Sequence, residues 1–128
     1  MNLDLEGLKP IYIQIAEWLE NEILNERFQE DEKVFSQYKL AELFNINPAT
    51  AAKGLNMLSE DQILYTKRGL GKFVAEHAKQ RILEKRKTET LSHLVHELVL
   101  EAAQLQVSKK ELIQMIEREH EVLKGEGQ

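Results

Sequence analysis

Asn47, Ala49, Thr50 and Lys53 cluster where a polar helix begins, and Lys67, Arg68 and Lys72 crowd a glycine-kinked segment further along the chain. Side chains of these kinds in these places suit nucleic acid. A lysine reads guanine edges or neutralises phosphate, and a threonine donates to phosphate or meets a thymine methyl through its own. Unpaired N–H groups at a helix N-terminus also favour phosphate. Lys67, Arg68 and Lys72 fit neutralisation of a phosphate backbone, with Arg68 reaching for a minor groove, and Gly69 lets the main chain come near a phosphate. Ser36, Tyr38 and Lys39 open the helix before and complete the candidate surface. Tyr38 either donates a hydrogen bond to phosphate or packs its ring on the next helix. The plainer alternative for the whole set is a solvated polar helix face and a basic hairpin tip. The order of the elements around these residues favours DNA.

Other chemistries find little support. His93 and Glu97 stand four residues apart on one helical face, with His96 and Glu101 nearby, but an apolar stripe interleaves them, so they read as ordinary helix histidines rather than a metal site. His120 beside Glu117 and Glu121 reads as a surface turn. The Gly69-Leu70-Gly71 run precedes a strand, so it is no nucleotide loop. No cysteine nucleophile, phosphate loop or paired carboxylate signature is present, which points away from an enzyme, and no cofactor is expected.

The elements that must carry the candidate residues follow from spacing. Pro10 suits the first turn of a helix in which Tyr12, Ile15, Ala16, Leu19 and Ile23 recur at helical intervals. That helix should fade near Arg27. Its acids Glu17, Glu20, Glu22 and Glu26 read as a solvated face, and Trp18 as core or dimer packing. Residues 28–33 form a polar connection, and Val34-Phe35 suggests a very short strand. Ser36 is a good N-cap for a second helix with Leu40, Ala41, Leu43 and Phe44 as its apolar face, and Asn45 tolerates the left-handed turn after it. Asn47-Pro48 is an N-cap followed by a first-turn proline, so a third helix runs from Pro48 to about Glu60 with Ala51, Leu55 and Leu58 inward. Strands at 63–66 and 72–75 flank a tip of residues 67–71. Beyond His77 the pattern is long helix, with an apolar stripe of Leu91, Leu94, Val95, Leu98, Val99, Ala102 and Leu105. Ser108 and Glu111 start a last helix carrying Leu112, Ile113, Ile116 and Leu123. Two such stripes cannot cover each other completely, and a two-fold dimer is the commonest remedy. The last five residues, KGEGQ, should fray. The expected fold is therefore mostly α with a small β-hairpin. A winged helix-turn-helix occupies residues 1–76. A C-terminal two-helix dimerisation segment, through Leu91, Leu94, Val95, Leu98, Leu112 and Ile116, occupies residues 77–128.

The net charge of −5 over 128 residues at first opposes nucleic acid, but the deficit lies in residues 1–30, with seven acids and two bases. From residue 31 onward acids and bases balance, and the candidate surface is locally basic. The run QRILEKRK at 80–87 either touches flanking phosphate or is a plain charged helix. The absence of cysteine fits a reducing, cytoplasmic setting. No apolar run reaches the roughly 18 residues of a membrane span, and MNLDLEGLKP lacks the basic start of a signal peptide.

Four segments then carry a resemblance: PIYIQIAEWLENEIL, FSQYKLAELFNINPATAAKGL, YTKRGLGKFVAE and the two-helix tail. In this order they resemble the GntR family of bacterial transcription regulators, and the short tail resembles its YtrA-like branch. The resemblance implies a homodimer on a palindromic double-stranded DNA operator, usually repressing, with transporter genes, commonly of the ABC type, as targets. Asn47, Thr50, Lys53, Arg68, Gly69 and Gly71 keep the branch pattern. Tyr38 stands where members commonly have arginine, Lys39 where an acid is frequent, and Ala49 where many have asparagine. Pro48 and Ala52 stand where the wider family often has arginines. Two other function classes remain open at this point: a winged-helix protein-interaction module, and a sensor whose tail encloses an unknown small-molecule effector.

Overall fold

The computed structural model describes residues 3–126. They divide into two compact units, one running up to Lys85 and the other starting at Arg86.

In the first unit, α1 spans Ile11–Leu24. Pro10 is its N-cap, with φ −55° and ψ 149°, rather than its first helical residue. Ile15, Ala16, Leu19 and Ile23 form the buried stripe that the spacing predicts. The helix stops at Leu24, short of Arg27, because Glu26 turns left-handed at φ +62°. The Glu26 N–H then reaches the Ile23 carbonyl at 3.0 Å and the Arg27 N–H the Glu22 carbonyl at 2.9 Å, which satisfies the end of the helix.

Helix α2 spans Gln37–Phe44, capped by Ser36 Oγ, which accepts the Lys39 N–H at 3.1 Å. Asn45 ends it in the left-handed region at φ +54°, as its residue type suggests. Leu40 and Ala41 are buried, and Phe44 meets Trp18 edge-on at 5.0 Å. Leu43 is a correction to the expected apolar face: it falls to one side of the Leu40–Ala41–Phe44 stripe and stays exposed.

Helix α3 spans Pro48–Glu60, with Asn47 as N-cap. Ala51, Leu55 and Leu58 point inward as expected, and Gly54 joins them. A Cβ at Gly54 would lie 2.8 Å from the Tyr12 carbonyl oxygen. Glycine therefore lets α3 and α1 pack backbone to backbone at this point.

The hairpin is tighter than its spacing suggests. Strand β1 is Leu64–Lys67 and β2 is Gly71–Val74, antiparallel, with Leu64 opposite Val74 and Lys67 opposite Gly71. Lys67 thus belongs to a strand and not to the tip. The turn needs only residues 68–70, because Gly69 takes φ +79° and the Leu70 N–H closes on the Lys67 carbonyl at 2.9 Å. The strand expected at Val34-Phe35 reduces to a single bridge between Lys33 and Phe73. Val34 is buried, while Phe35 turns to stack on Trp18 and meet Phe28.

Helix α4, Ala78–Arg86, adds Ala78 and Ile82 to the same core, so the compact unit continues past Glu76. α4 is followed directly by a wider π-helical turn at Lys87–Leu91, then by α5 at Ser92–Gln104. The turn replaces regular α-helix where Thr88 and Thr90, both β-branched and weak helix formers, stand close together. α5 ends at a left-handed Gln106, φ +58°, with the Val107 N–H on the Ala102 carbonyl at 2.9 Å. α6, Lys109–Glu126, starts where Ser108 Oγ accepts the Glu111 N–H at 3.1 Å. Lys124 to Glu126 are helical rather than frayed, and Gly127 and Gln128 lie outside the described residues. No helix among the described residues is long and apolar enough to cross a membrane.

Candidate nucleic-acid interface

Local chain chemistry builds the start of α3 as a donor-rich end. Asn47 Oδ1 accepts the Ala49 N–H at 2.8 Å, so its oxygen is spent on the cap and its amide NH2 is the part left to face a ligand. Ser36 is divided in the same way: its oxygen caps α2 and its hydroxyl hydrogen remains available. Ala49 is exposed, and Thr50 is half-buried.

Lys53 is exposed, but its ammonium is not loose. It sits 4.1 Å from the centroid of the Tyr12 ring, a cation–π contact supplied by α1. Tyr12, Gln37, Ala49, Lys53, Asn56 and Glu60 line one shallow groove beside α3. Spacing along α3 could suggest Asn56 and Glu60 as neighbours of Lys53. Tyr12 and Gln37 come from other helices, and no local signal in the sequence places them here. Glu60 sets a carboxylate at the far end of the groove, which opposes phosphate there.

Tyr38 is 70% exposed, so the alternative in which its ring packs on α3 is overturned; its hydroxyl is presented to solvent. Lys39 lies 4.0 Å from Glu42 one turn on, a loose exposed pair that leaves the lysine available.

The wing is built by cross-strand packing. Tyr65 and Phe73, opposite each other, stack at 5.8 Å, and the Lys67 ammonium lies 4.5 Å over the Phe73 ring. Lys67 is thus held flat along the hairpin rather than extended from its tip. Lys72 is half-buried and donates to Ser59 Oγ at 2.9 Å and Thr66 Oγ1 at 3.0 Å, which fastens the wing to the end of α3. Arg68 and Gly69 make the exposed tip, with no ion-pair partner for Arg68 among the described residues. Asp31 anchors the base of the hairpin by accepting the Tyr65 hydroxyl at 2.7 Å, and that hydrogen bond, then desolvation and the carboxylate charge, raise the phenol above its ordinary pKa.

Two expectations away from the groove change. Glu20, grouped by spacing with the solvated acids, is 1% exposed. Its carboxylate receives the Lys85 ammonium at 2.8 Å, and Lys85 also reaches Asp61 at 2.8 Å. Within the run QRILEKRK, Lys85 therefore faces inward, and Arg81 hydrogen-bonds the Gln62 side chain. Burial works against the Lys85 charge, but its hydrogen bonds to Asp61 and Glu20 outweigh this and raise its pKa above the ordinary lysine value. His93 and Glu97 approach only to 3.9 Å, and no group of metal-ligating side chains forms among the described residues.

A capped α2–turn–α3 pair with a basic two-stranded wing defines the winged helix-turn-helix class of regulators. Residues 11–74 match the family of bacterial regulatory proteins described as the gntR family, and the chain belongs to that family. Its members are regulators rather than enzymes. Among curated relatives, the chain is 33% identical over 84 residues to the transcriptional repressor NagR of Bacillus subtilis. That match covers 66% of this chain but 35% of NagR, so the chain spans about a third of that relative. It is 26% identical to the B. subtilis repressor YtrA over 98% of this chain and 95% of YtrA. Of solved structures, a GntR-family regulator from Listeria monocytogenes superposes with a TM-score of 0.69 at 27% identity, over 89% of this chain and 98% of that one. The DNA-binding domain of AraR, solved in complex with its operator ORE1, matches at a TM-score of 0.52 and 29% identity, over 57% of this chain and 89% of that one.

Proposed function

We propose that this regulator is a cytoplasmic homodimer that represses by occupying a palindromic operator, with transporter genes, commonly of the ABC type, as its targets. The observation that carries the DNA reading is the start of α3. Asn47 caps it, Ala49 and Lys53 line its groove, and Tyr12 holds Lys53 in place. Residues up to about 76 do the reading. Thr50 and Lys53 meet base edges or phosphate. Ser36, Tyr38 and Lys39 meet the backbone before α3, and Lys67, Arg68, Gly69 and Lys72 meet it at the wing. The remainder of the chain holds two copies together through Leu91, Leu94, Val95, Leu98, Leu112 and Ile116. Five of these six are exposed and Leu112 is half-buried, and apolar faces of this extent call for a partner surface. The repressor name of YtrA, matched over nearly its whole length, supports the direction of regulation, and the resemblance to its branch supports transporter targets.

Two reading helices in a two-fold dimer enter successive major grooves, so half-sites lie about one helical turn apart. The test is selection from a random duplex library by the purified protein and by Lys53→Glu at two salt concentrations. A palindrome enriched by the wild type and lost in Lys53→Glu is the expected result. A folded wild type that enriches nothing at low salt overturns the DNA reading and turns attention to a protein partner or an effector.

A further inference from the structure

The basic run of α4 has a job that its charge alone does not suggest. Arg81 and Lys85 stand four residues apart, on one face of that helix, and both reach the C-terminal end of α3. Lys85 binds Asp61, the C-cap of α3, at 2.8 Å, and Arg81 binds the side chain of Gln62, the left-handed residue that follows. The same Lys85 ammonium binds Glu20 of α1, whose side chain is 2% exposed. One lysine therefore joins α1, α4 and the tail of the reading helix, at the end opposite the Asn47 cap. The placement also suits the negative end of the α3 dipole, where cations are favoured. Ala78 and Ile82, on the adjoining face of α4, are buried in the same core, so the helix carrying these two bases is seated rather than loose.

We propose that Arg81 and Lys85 are positioning residues for DNA reading: they clamp the C-terminal end of α3 and so set the angle at which its N-terminus meets DNA. The proposal rests on the DNA reading above and deepens it. It also separates these two bases from phosphate contact, the other use that a basic helix beside a wing invites.

The experiment compares wild type, Lys85→Met, Arg81→Ala and the double variant Glu20→Met/Lys85→Met, with the duplex that the wild type selects as probe. Affinity is measured across a salt series. Each phosphate contact contributes a slope of about −0.9, so a positioning residue and a phosphate contact give different results. Lys85→Met is expected to bind roughly tenfold more weakly with an unchanged salt slope. The double variant, which removes the buried Glu20 charge but still leaves Asp61 unclamped, is expected to regain thermal stability and to keep most of the loss in affinity. A slope that falls by about one contact assigns Lys85 to phosphate and overturns the proposal, and so does recovered affinity in the double variant, which would trace the loss to the broken Glu20 pair rather than to the clamp. So does unchanged affinity in folded Lys85→Met and Arg81→Ala. Amide hydrogen exchange at Asp61, Gln62 and Ile63 tests the clamp without DNA. Faster exchange in Lys85→Met supports it, and unchanged exchange overturns it. If the wild type selects no duplex, the DNA reading itself has failed and the positioning role falls with it, whatever the exchange shows.

Discussion

At the scale of single residues, type often announced role and burial then revised it. Asn47, Ser36 and Asn45 do what their side chains are built for, since capping and left-handed turns are local events needing only neighbouring backbone. Glu20 is different. Its helical position reads as a solvated acid, and the ion pair with Lys85, 65 residues further on, helps make its burial tolerable. Gly54 likewise reads as a weak point in a helix until the Tyr12 carbonyl is seen beside it. Replacing Gly54 with alanine sets two effects against each other. Helix propensity gains about 1 kcal/mol, while forcing a Cβ against main chain costs about 1–3 kcal/mol. The opposing atom is a carbonyl oxygen at 2.8 Å, which cannot swing aside as a side-chain tip could, so the steric cost prevails. Gly54→Ala should lower stability by about 1 kcal/mol, read as a lower urea midpoint at unchanged slope. A raised midpoint would show that α1 yields.

Among the elements, the starts of α1, α2, α3, α4 and α6 were visible in the sequence, while the end of α1 and the turn that separates α4 from α5 were not. Helices α1, α3 and α5 all finish with a left-handed residue closing paired hydrogen bonds, at Glu26, Gln62 and Gln106. Glycine is the usual occupant of such a position, and its absence hides the stop of α1, whereas α3 ends at Glu60 as its spacing predicts. Side chains in the left-handed region are strained by roughly 1–2 kcal/mol, part of which glycine returns through its greater freedom when unfolded. Gln106→Gly should therefore stabilise the α5–α6 connection by about 0.5–1 kcal/mol. A thermal melt checks this, and a lowered midpoint would mean that the Gln106 side chain contributes more than its backbone strain costs. The wing illustrates the converse. Its glycines marked the turn, but cross-strand pairing of Tyr65 with Phe73 decided where the strands stop.

For the whole molecule, the α5–α6 unit leaves its apolar side chains largely uncovered. Ala102 is its one buried residue among those described, while Leu94, Leu98 and Ile116 are 42–57% exposed. Under the proposed dimer, Leu94→Glu/Leu98→Glu places two carboxylates in the interface. The expected result is a monomer by sedimentation equilibrium at micromolar concentration, with the first unit still folded. Operator affinity should fall ~100-fold or more, because the second half-site no longer benefits from linkage to the first. A variant that remains dimeric would move the interface away from α5. The negative total charge does not oppose DNA binding at this scale, because Glu20 is internally paired and the bases near α3 and the wing supply the local field.

Periodicity, caps and glycine spacing were enough to establish the order of elements, the helix-turn-helix, the wing and the unpaired stripe of the tail. Each of these is written in residues close together in the chain. The tertiary structure alone decided that Tyr12 carries Lys53, that Lys72 is tied to Ser59 and Thr66, and that Glu20, Asp61 and Lys85 meet. These contacts join residues from separate elements, and a charge or ring has no preferred partner until packing brings one within reach and removes the competing water.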